Sequence, residues 1–130
     1  MANNYLQFSF MVENVSEEHW EFLKREFARV EKLEGYLPFC AEYEDHHESV
    51  WFYSDEYGEP EYVAEVLHNY LAEFSLDKSI SFSWASTCSK LRLDEFTGGG
   101  CFITKDDVEF MIVDMWLGKK EAEWRAKKEA

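Results

Sequence analysis

Proline and glycine are scarce in this sequence, at two and six of 130 residues. Collagen-like and low-complexity chains need far more of both. No Pro/Ser-rich linker or internal repeat is visible either, so a single compact unit is expected. Cysteine is too sparse for a disulfide scaffold: Cys40, Cys88 and Cys101 make an odd count that suits reduced thiols and a cytoplasmic setting. No apolar run approaches the ~20 residues of a membrane span. The opening Met1-Ala2-Asn3-Asn4-Tyr5 lacks the basic and apolar segments of a signal peptide. Positive charge is also in short supply, with 13 Lys and Arg against 27 Asp and Glu and a formal net charge of -14. Phosphate contacts need clustered Lys and Arg, which argues against direct binding of nucleic acid or of an anionic membrane.

Aromatic residues, by contrast, make up 18% of the chain and apolar residues 46%, enough to build a core despite a mean hydropathy of -0.46. From Tyr5 to Glu13, Leu6, Phe8, Phe10 and Val12 alternate with Gln7, Ser9 and Glu13, the period of a half-buried strand. Asn14-Val15-Ser16-Glu17 then supplies a helix start, Trp20, Leu23, Phe27 and Val30 form one buried stripe, and Gly35 ends the helix. Two more strands follow, over 39–44 and 50–55, joined by the polar turn Asp45-His46-His47-Glu48. Pro60 opens a second helix whose buried stripe is Val63, Val66, Leu67, Tyr70, Leu71 and Phe74. A fourth strand over 80–88 puts Ile80, Phe82 and Trp84 on a buried face, opposite Ser81 and Ser83.

Past a loop over 89–100, a short fifth strand is expected over 101–104. Thr104 to Asp107 would cap a third helix that buries Phe110, Met111, Val113, Met115 and Trp116. Gly118 would interrupt it, separating a domain over 1–118 from a charged helical tail over 119–130. The order β-α-β-β-α-β predicts an α+β fold of ferredoxin-like (split β-α-β) type. It has an antiparallel sheet with two helices on one face, plus an added fifth strand and a C-terminal helix.

Several segments carry a resemblance: Asn4-Tyr5-Leu6-Gln7-Phe8-Ser9, Glu56-Tyr57-Gly58, and Phe82-Ser83-Trp84-Ala85-Ser86-Thr87-Cys88-Ser89-Lys90. It continues through Arg92, Glu95-Phe96, Gly98-Gly99-Gly100 and Phe102-Ile103-Thr104. In these the chain resembles a family of small uncharacterised bacterial and mobile-element proteins. The resemblance implies a shared α+β fold and a cytosolic setting, and transfers no catalytic residue.

The strongest functional signal is the placement of charge. Between Lys32 and Lys78 there is no Lys or Arg, while twelve acids fall in that stretch. Such a surface attracts basic partners. The expected function is a non-enzymatic protein-binding module that mimics nucleic acid, as inhibitors of anti-restriction or anti-CRISPR type do. Glu42, Glu44, Asp45, Glu48, Asp55, Glu56, Glu59 and Glu61 would stand in for phosphates, and Trp51 and Tyr53 would be apolar anchors. The partner would be a basic protein surface, such as that of a nucleic-acid-binding protein, and the chain itself a monomer or homodimer. The plain alternative is a solubilising face. Trp51 and Tyr53 either lie on an open sheet face or are covered by the third helix.

A competing class is a small-molecule or anion binder, or an enzyme, built on the segment from Ser86 to Gly100. There Ser86, Thr87, Cys88, Ser89, Lys90 and Arg92 supply donors, a thiol and positive charge, and three glycines could offer backbone N–H groups. The glycines precede a strand rather than a helix, so a phosphate loop is not indicated, and a glycine-rich hairpin or bulge fits better. Cys88 and Cys101 could be neighbours on adjacent strands. With no paired ligands at short spacing, neither they nor His46 and His47 indicate a metal, and no cofactor is expected.

Overall fold

The structure, a computed structural model, describes residues 3–129. Its elements in order are β1 (Asn4–Val12), α1 (Glu17–Glu34), β2 (Cys40–Glu44), a 3₁₀ turn (Asp45–His47), β3 (Ser49–Ser54) and α2 (Pro60–Glu73). They continue with β4 (Ile80–Cys88), β5 (Thr97–Ile103), β6 (Val108–Ile112) and α3 (Val113–Glu129). The fold is mixed α+β, with one six-stranded sheet in the order β2-β3-β1-β4-β5-β6 and antiparallel pairing at every step.

The local chemistry of α1 explains its bounds. The Ser16 hydroxyl accepts a hydrogen bond from the His19 backbone N–H at 3.2 Å, and Glu17 and Glu18 sit at the positive end of the helix. At the other end Gly35 takes a left-handed conformation (φ 85°) and returns its N–H to the Glu31 carbonyl. Leu23, Phe27 and Val30 of α1 are buried with Val63, Val66, Leu67, Tyr70 and Leu71 of α2. Their sheet partners are the even-numbered residues of β1 and β4 and the alternating set Val50, Phe52 of β3, so both helices cover one face. A run of rings crosses that core: Phe82 stacks on Phe10 at 4.4 Å and Phe10 on Phe52 at 5.3 Å. Phe27 and Phe39 lie against Phe52 from the side.

The second half of the chain departs from expectation in four ways. The sheet has six strands, not five, and β5 begins at Thr97, so Gly98, Gly99 and Gly100 lie inside a strand rather than in a loop. They pair with Ala85, Trp84 and Ser83 of β4. A Cβ on Gly99 would sit 2.5 Å from the Trp84 ring and 2.6 Å from the Met111 carbonyl oxygen, so the glycine makes room for the indole. The segment over 108–112 is a strand and not the start of a helix. Thr104 Oγ1 does accept from the N–H groups of Asp106 and Asp107 as a helix cap would. The Thr104 N–H, however, bonds the Asp107 carbonyl and closes a hairpin turn. Ser and Thr side chains serve both structures with the same bonds, so this signal is ambiguous in sequence.

The third departure is that α3 runs unbroken through Gly118. None of its residues is buried, and Phe110, Met111, Met115 and Trp116 are exposed where a core helix was expected. Its packing is against β5 and β6. The fourth concerns Trp84, which is half-buried rather than enclosed: its ring lies between Phe82 and Phe110 toward the β6 side of the sheet.

The two aromatics should therefore differ in their contribution to stability. Phe52→Ala, at 0% exposure and touching three other phenylalanines, is expected to cost ~3–5 kcal/mol, and Trp84→Ala only ~1–2 kcal/mol. Gly99→Ala should cost ~1–3 kcal/mol, because the added methyl collides with a backbone oxygen as well as a ring. Urea unfolding of the three variants checks this order, and a neutral Gly99→Ala would mean that β5 does not pair with β4 in this register.

Candidate functional site

Strand β2 is an edge strand, and pairing with β3 sets Cys40 opposite Tyr53 and Glu42 opposite Trp51. With a side-chain period of two, Cys40, Glu42 and Glu44 share the sheet face that the helices leave open, together with Trp51 and Tyr53. The helix α3 does not cover this region, since it packs at the opposite edge of the sheet. The two aromatic rings stack at 4.0 Å. Tyr53 donates its phenol proton to Glu42 Oε2 at 2.6 Å, and Trp51 Nε1–H donates to Ser9 Oγ at 2.9 Å. These bonds hold both rings in place while Trp51 stays 38% exposed. The hydrogen bond to Glu42, helped by partial desolvation, pushes the Tyr53 phenol up to about 12.

The hairpin tip continues the acidic surface. Asp45 lies in the 3₁₀ turn and Glu48 takes a left-handed conformation (φ 47°) just after it, both exposed. Beside the tip is a cleft of about 660 Å³ lined by Glu17, Glu18, Trp20, Glu21, Tyr43 and Asp45. Trp20 and Tyr43 stack at 5.1 Å as part of its wall, with the Tyr43 hydroxyl donating to the Val15 carbonyl. Glu17, Glu18 and Glu21 of α1 thus meet Asp45 of the hairpin tip. Their separation in sequence, more than twenty residues, carries no signal of this meeting.

The remaining acids named from sequence lie elsewhere. Strand β3 runs six residues from the tip to Ser54, roughly 20 Å. Asp55 and Glu56 therefore sit at the opposite end, where their carbonyls accept from Gln7 Nε2–H and the Leu6 N–H. Glu59 is half-buried and its Oε2 has no hydrogen-bond partner. Burial, reinforced by Glu34 and Glu61, raises its carboxyl above the ordinary value, which makes it a poor phosphate surrogate. Glu61, in the first turn of α2, borders a groove of about 670 Å³ with β6 and α3. The eight carboxylates therefore form no single patch. Glu42, Glu44, Asp45 and Glu48 stay together with Trp51 and Tyr53; Asp55, Glu56, Glu59 and Glu61 are separate from them.

The segment from Ser86 to Gly100 does not assemble a pocket of donors. Ser86 and Thr87 are half-buried in β4, Cys88 is buried, and Ser89 is tied to Asn3 by two hydrogen bonds. Lys90 and Arg92 stand on an exposed loop beside Leu91 and Leu93, and Gly98 to Gly100 sit within the β4–β5 ladder. Cys88 and Cys101 are not neighbours. Cys101 lies opposite Phe82, six residues and roughly 20 Å along β4 from Cys88. Burial pushes the Cys101 thiol up to about 12, so it is not a nucleophile. His19 Nδ1 is hydrogen-bonded to the Tyr70 hydroxyl, and His68 Nδ1–H donates to the Thr104 carbonyl, so both serve packing between elements. Among the described residues, no three of His, Cys, Asp and Glu converge as metal ligands would.

The Tyr53–Glu42 bond has a readable consequence at alkaline pH. The phenol is raised above its unfolded value of 10, so the stabilisation is present in full below pH 10 and is lost as pH climbs to about 12. Glu42→Gln removes the charge that holds the proton, and should bring the phenol back toward 10. Ultraviolet titration, taken as the difference between the chain and its Tyr53→Phe variant, isolates this group. A Tyr53 that titrates with the same midpoint in Glu42→Gln would show that the bond is absent in solution.

Comparison with protein-family models, with curated proteins and with solved structures finds no match to this chain.

Proposed function

We propose that this chain is a non-enzymatic protein-binding module whose β2–β3 hairpin imitates a short run of nucleic-acid backbone. The observation that carries this reading is the stacked pair Trp51–Tyr53, held on the open face beside a row of carboxylates. Along an edge strand, Glu42 and Glu44 succeed one another about 6.6 Å apart, and Asp45 and Glu48 extend the row around the tip. An apolar centre with a charged rim is the arrangement that protein interfaces use for anchoring and orientation. The partner is a basic surface that otherwise binds DNA or RNA, and the outcome is inhibition, as with anti-restriction and anti-CRISPR inhibitors. A cytoplasmic setting suits an exposed thiol at Cys40 and two buried ones.

The scaffold is read in the same terms. The four strands β2-β3-β1-β4 with α1 and α2 form a split β-α-β unit of ferredoxin-like kind, to which β5, β6 and α3 are appended. In that arrangement the helices occupy one face and leave the other to the hairpin.

Two charge-removal variants test the function. Replacing Glu42, Glu44, Asp45 and Glu48 by Gln or Asn takes the net charge from -14 to -10, and so does replacing Glu73, Asp77, Asp106 and Asp107, which are exposed and lie outside the hairpin. Bait protein is used to capture partners from lysate at low and high salt. The first set should abolish capture of a basic nucleic-acid-binding protein, and the second should leave it within about twofold. Equal behaviour of the two sets would overturn the mimic reading, because bulk charge alone would then account for binding.

A further inference from the structure

Strand β2 is one edge of the sheet, and its five residues pair only with β3. In an antiparallel ladder, alternate residues turn their N–H and C=O groups away from the partner strand. Among the described residues, Cys40–Glu44 make no backbone hydrogen bond outside the β3 ladder, so those groups face outward without a protein partner. The opposite edge differs, because α3 packs beside β6. An open edge is a template for another strand, and proteins commonly guard it with lysine, proline or a bulge. Strand β2 has no lysine and no proline, and its register against β3 is unbroken. It carries two glutamates instead.

Acid lies on both sides of this edge. Glu42 and Glu44 are on the open face. Tyr43, between them, turns to the helix side and walls the 660 Å³ cleft with Trp20, where Glu17, Glu18 and Asp45 also lie. Among the described residues none of these carboxylates is in an ion pair, whereas Glu21 of the same cleft pairs with Lys24 at 2.8 Å. The Lys24 ammonium also lies 6.0 Å from the centre of the Trp20 ring, so this aromatic wall already attracts a cation. Burial, and after it the charges of Glu48, Asp45 and Glu17, raise the Tyr43 phenol above its ordinary value.

These charges select what can pair with the edge. A second copy meeting β2 to β2 would set Glu42 and Glu44 against one another or against themselves, and like charges directly opposite are destabilising. A strand of opposite charge is favoured at the same positions. Successive side chains of an added strand alternate between the two faces. The residues opposite Glu42 and Glu44 therefore lie on the open face, and the residue between them lies beside Tyr43 on the helix side. We propose that β2 takes an extended cationic segment of the partner protein as a seventh strand, with three consecutive bases opposite Glu42, Tyr43 and Glu44. The middle base is an arginine, whose planar guanidinium suits both the aromatic wall and the carboxylates of the cleft. This rests on the reading that the hairpin is the surface that meets a basic partner.

Fluorescence anisotropy on the full chain with labelled peptides tests the added strand. The probe is Thr-Val-Lys-Arg-Lys-Val-Thr, which should bind with a Kd on the order of 100 µM or below at about 50 mM salt. Two methylated forms carry the same charge, one blocked at the arginine and valine amides and the other at the two lysine amides. An added strand turns only one of these sets toward β2, so one form should lose at least about tenfold and the other should bind within about threefold. Replacing the central arginine by Gln should cost roughly tenfold, and so should Glu42→Gln with Glu44→Gln in the chain. Methylated forms that both bind like the parent peptide, or that both fail, would overturn the added strand. So would an absence of binding at about 1 mM. If capture from lysate still depends on the hairpin acids in either case, the strand is wrong and the mimic reading stands. Peptide binding in the expected pattern without capture of a nucleic-acid-binding protein supports the strand and sinks the mimic reading.

Discussion

Three rings hold the centre of this molecule together. Phe10, on the middle strand β1, stacks on Phe82 of β4 on one side and on Phe52 of β3 on the other. The α1 helix adds Phe27 against Phe52, and the approach to β2 adds Phe39. Each stacked contact joins neighbouring strands on the helix-facing side, where aromatic pairs contribute beyond the area they bury. Because these rings and both helical stripes crowd one face, nothing remains in the first two helices to cover the other. The open face is thus a consequence of where the core was built.

That one-sidedness shapes the surface. Residues that alternate with the core set must meet water, so Glu42, Glu44, Trp51 and Tyr53 are displayed together on β2 and β3. Their display is rigid, since the Tyr53–Glu42 and Trp51–Ser9 hydrogen bonds fix rings that would otherwise rotate freely. The other acids follow different constraints. Asp55 and Glu56 are positioned by bonds from the Gln7 side-chain amide and the Leu6 N–H of β1 to their carbonyls, and Glu59 is drawn partly inward at the start of α2. A continuous acidic run in the chain becomes several separate surfaces once the hairpin spans the sheet.

At the far edge the problem is reversed. Strand β5 still buries Cys101 and Ile103 in the core beside α2, but α3 leaves from the end of the edge strand β6 without folding back onto a core. The indole of Trp84 closes part of the gap by occupying the space above Gly99. The exposed tryptophans of α3 lie outside the intramolecular core. The two ends of the sheet thus carry opposite character, with carboxylates around a fixed aromatic pair at one edge and a lysine–tryptophan helix at the other.

The sequence by itself determined the elements that repeat a clear period. Alternation in β1 to β4, the stripes of α1 and α2, the Ser16 cap and the Gly35 stop all describe single segments meeting one flat or cylindrical surface, and such local patterns need no knowledge of neighbours. It also established the excess of acid and the absence of bases between Lys32 and Lys78. Only the tertiary structure decided the rest. Thr104 caps a turn and a helix with the same hydrogen bonds, so whether β6 or a helix follows depends on β5 lying alongside to pair with it. Gly98 to Gly100 look like a loop in isolation and become a strand by pairing with β4, where Gly99 leaves room for the Trp84 indole. The joining of α1 acids with Asp45, and the separation of Cys88 from Cys101, follow from strand register and helix placement. Those distances are set by contacts between segments far apart in the chain, and no pattern within a single segment encodes them.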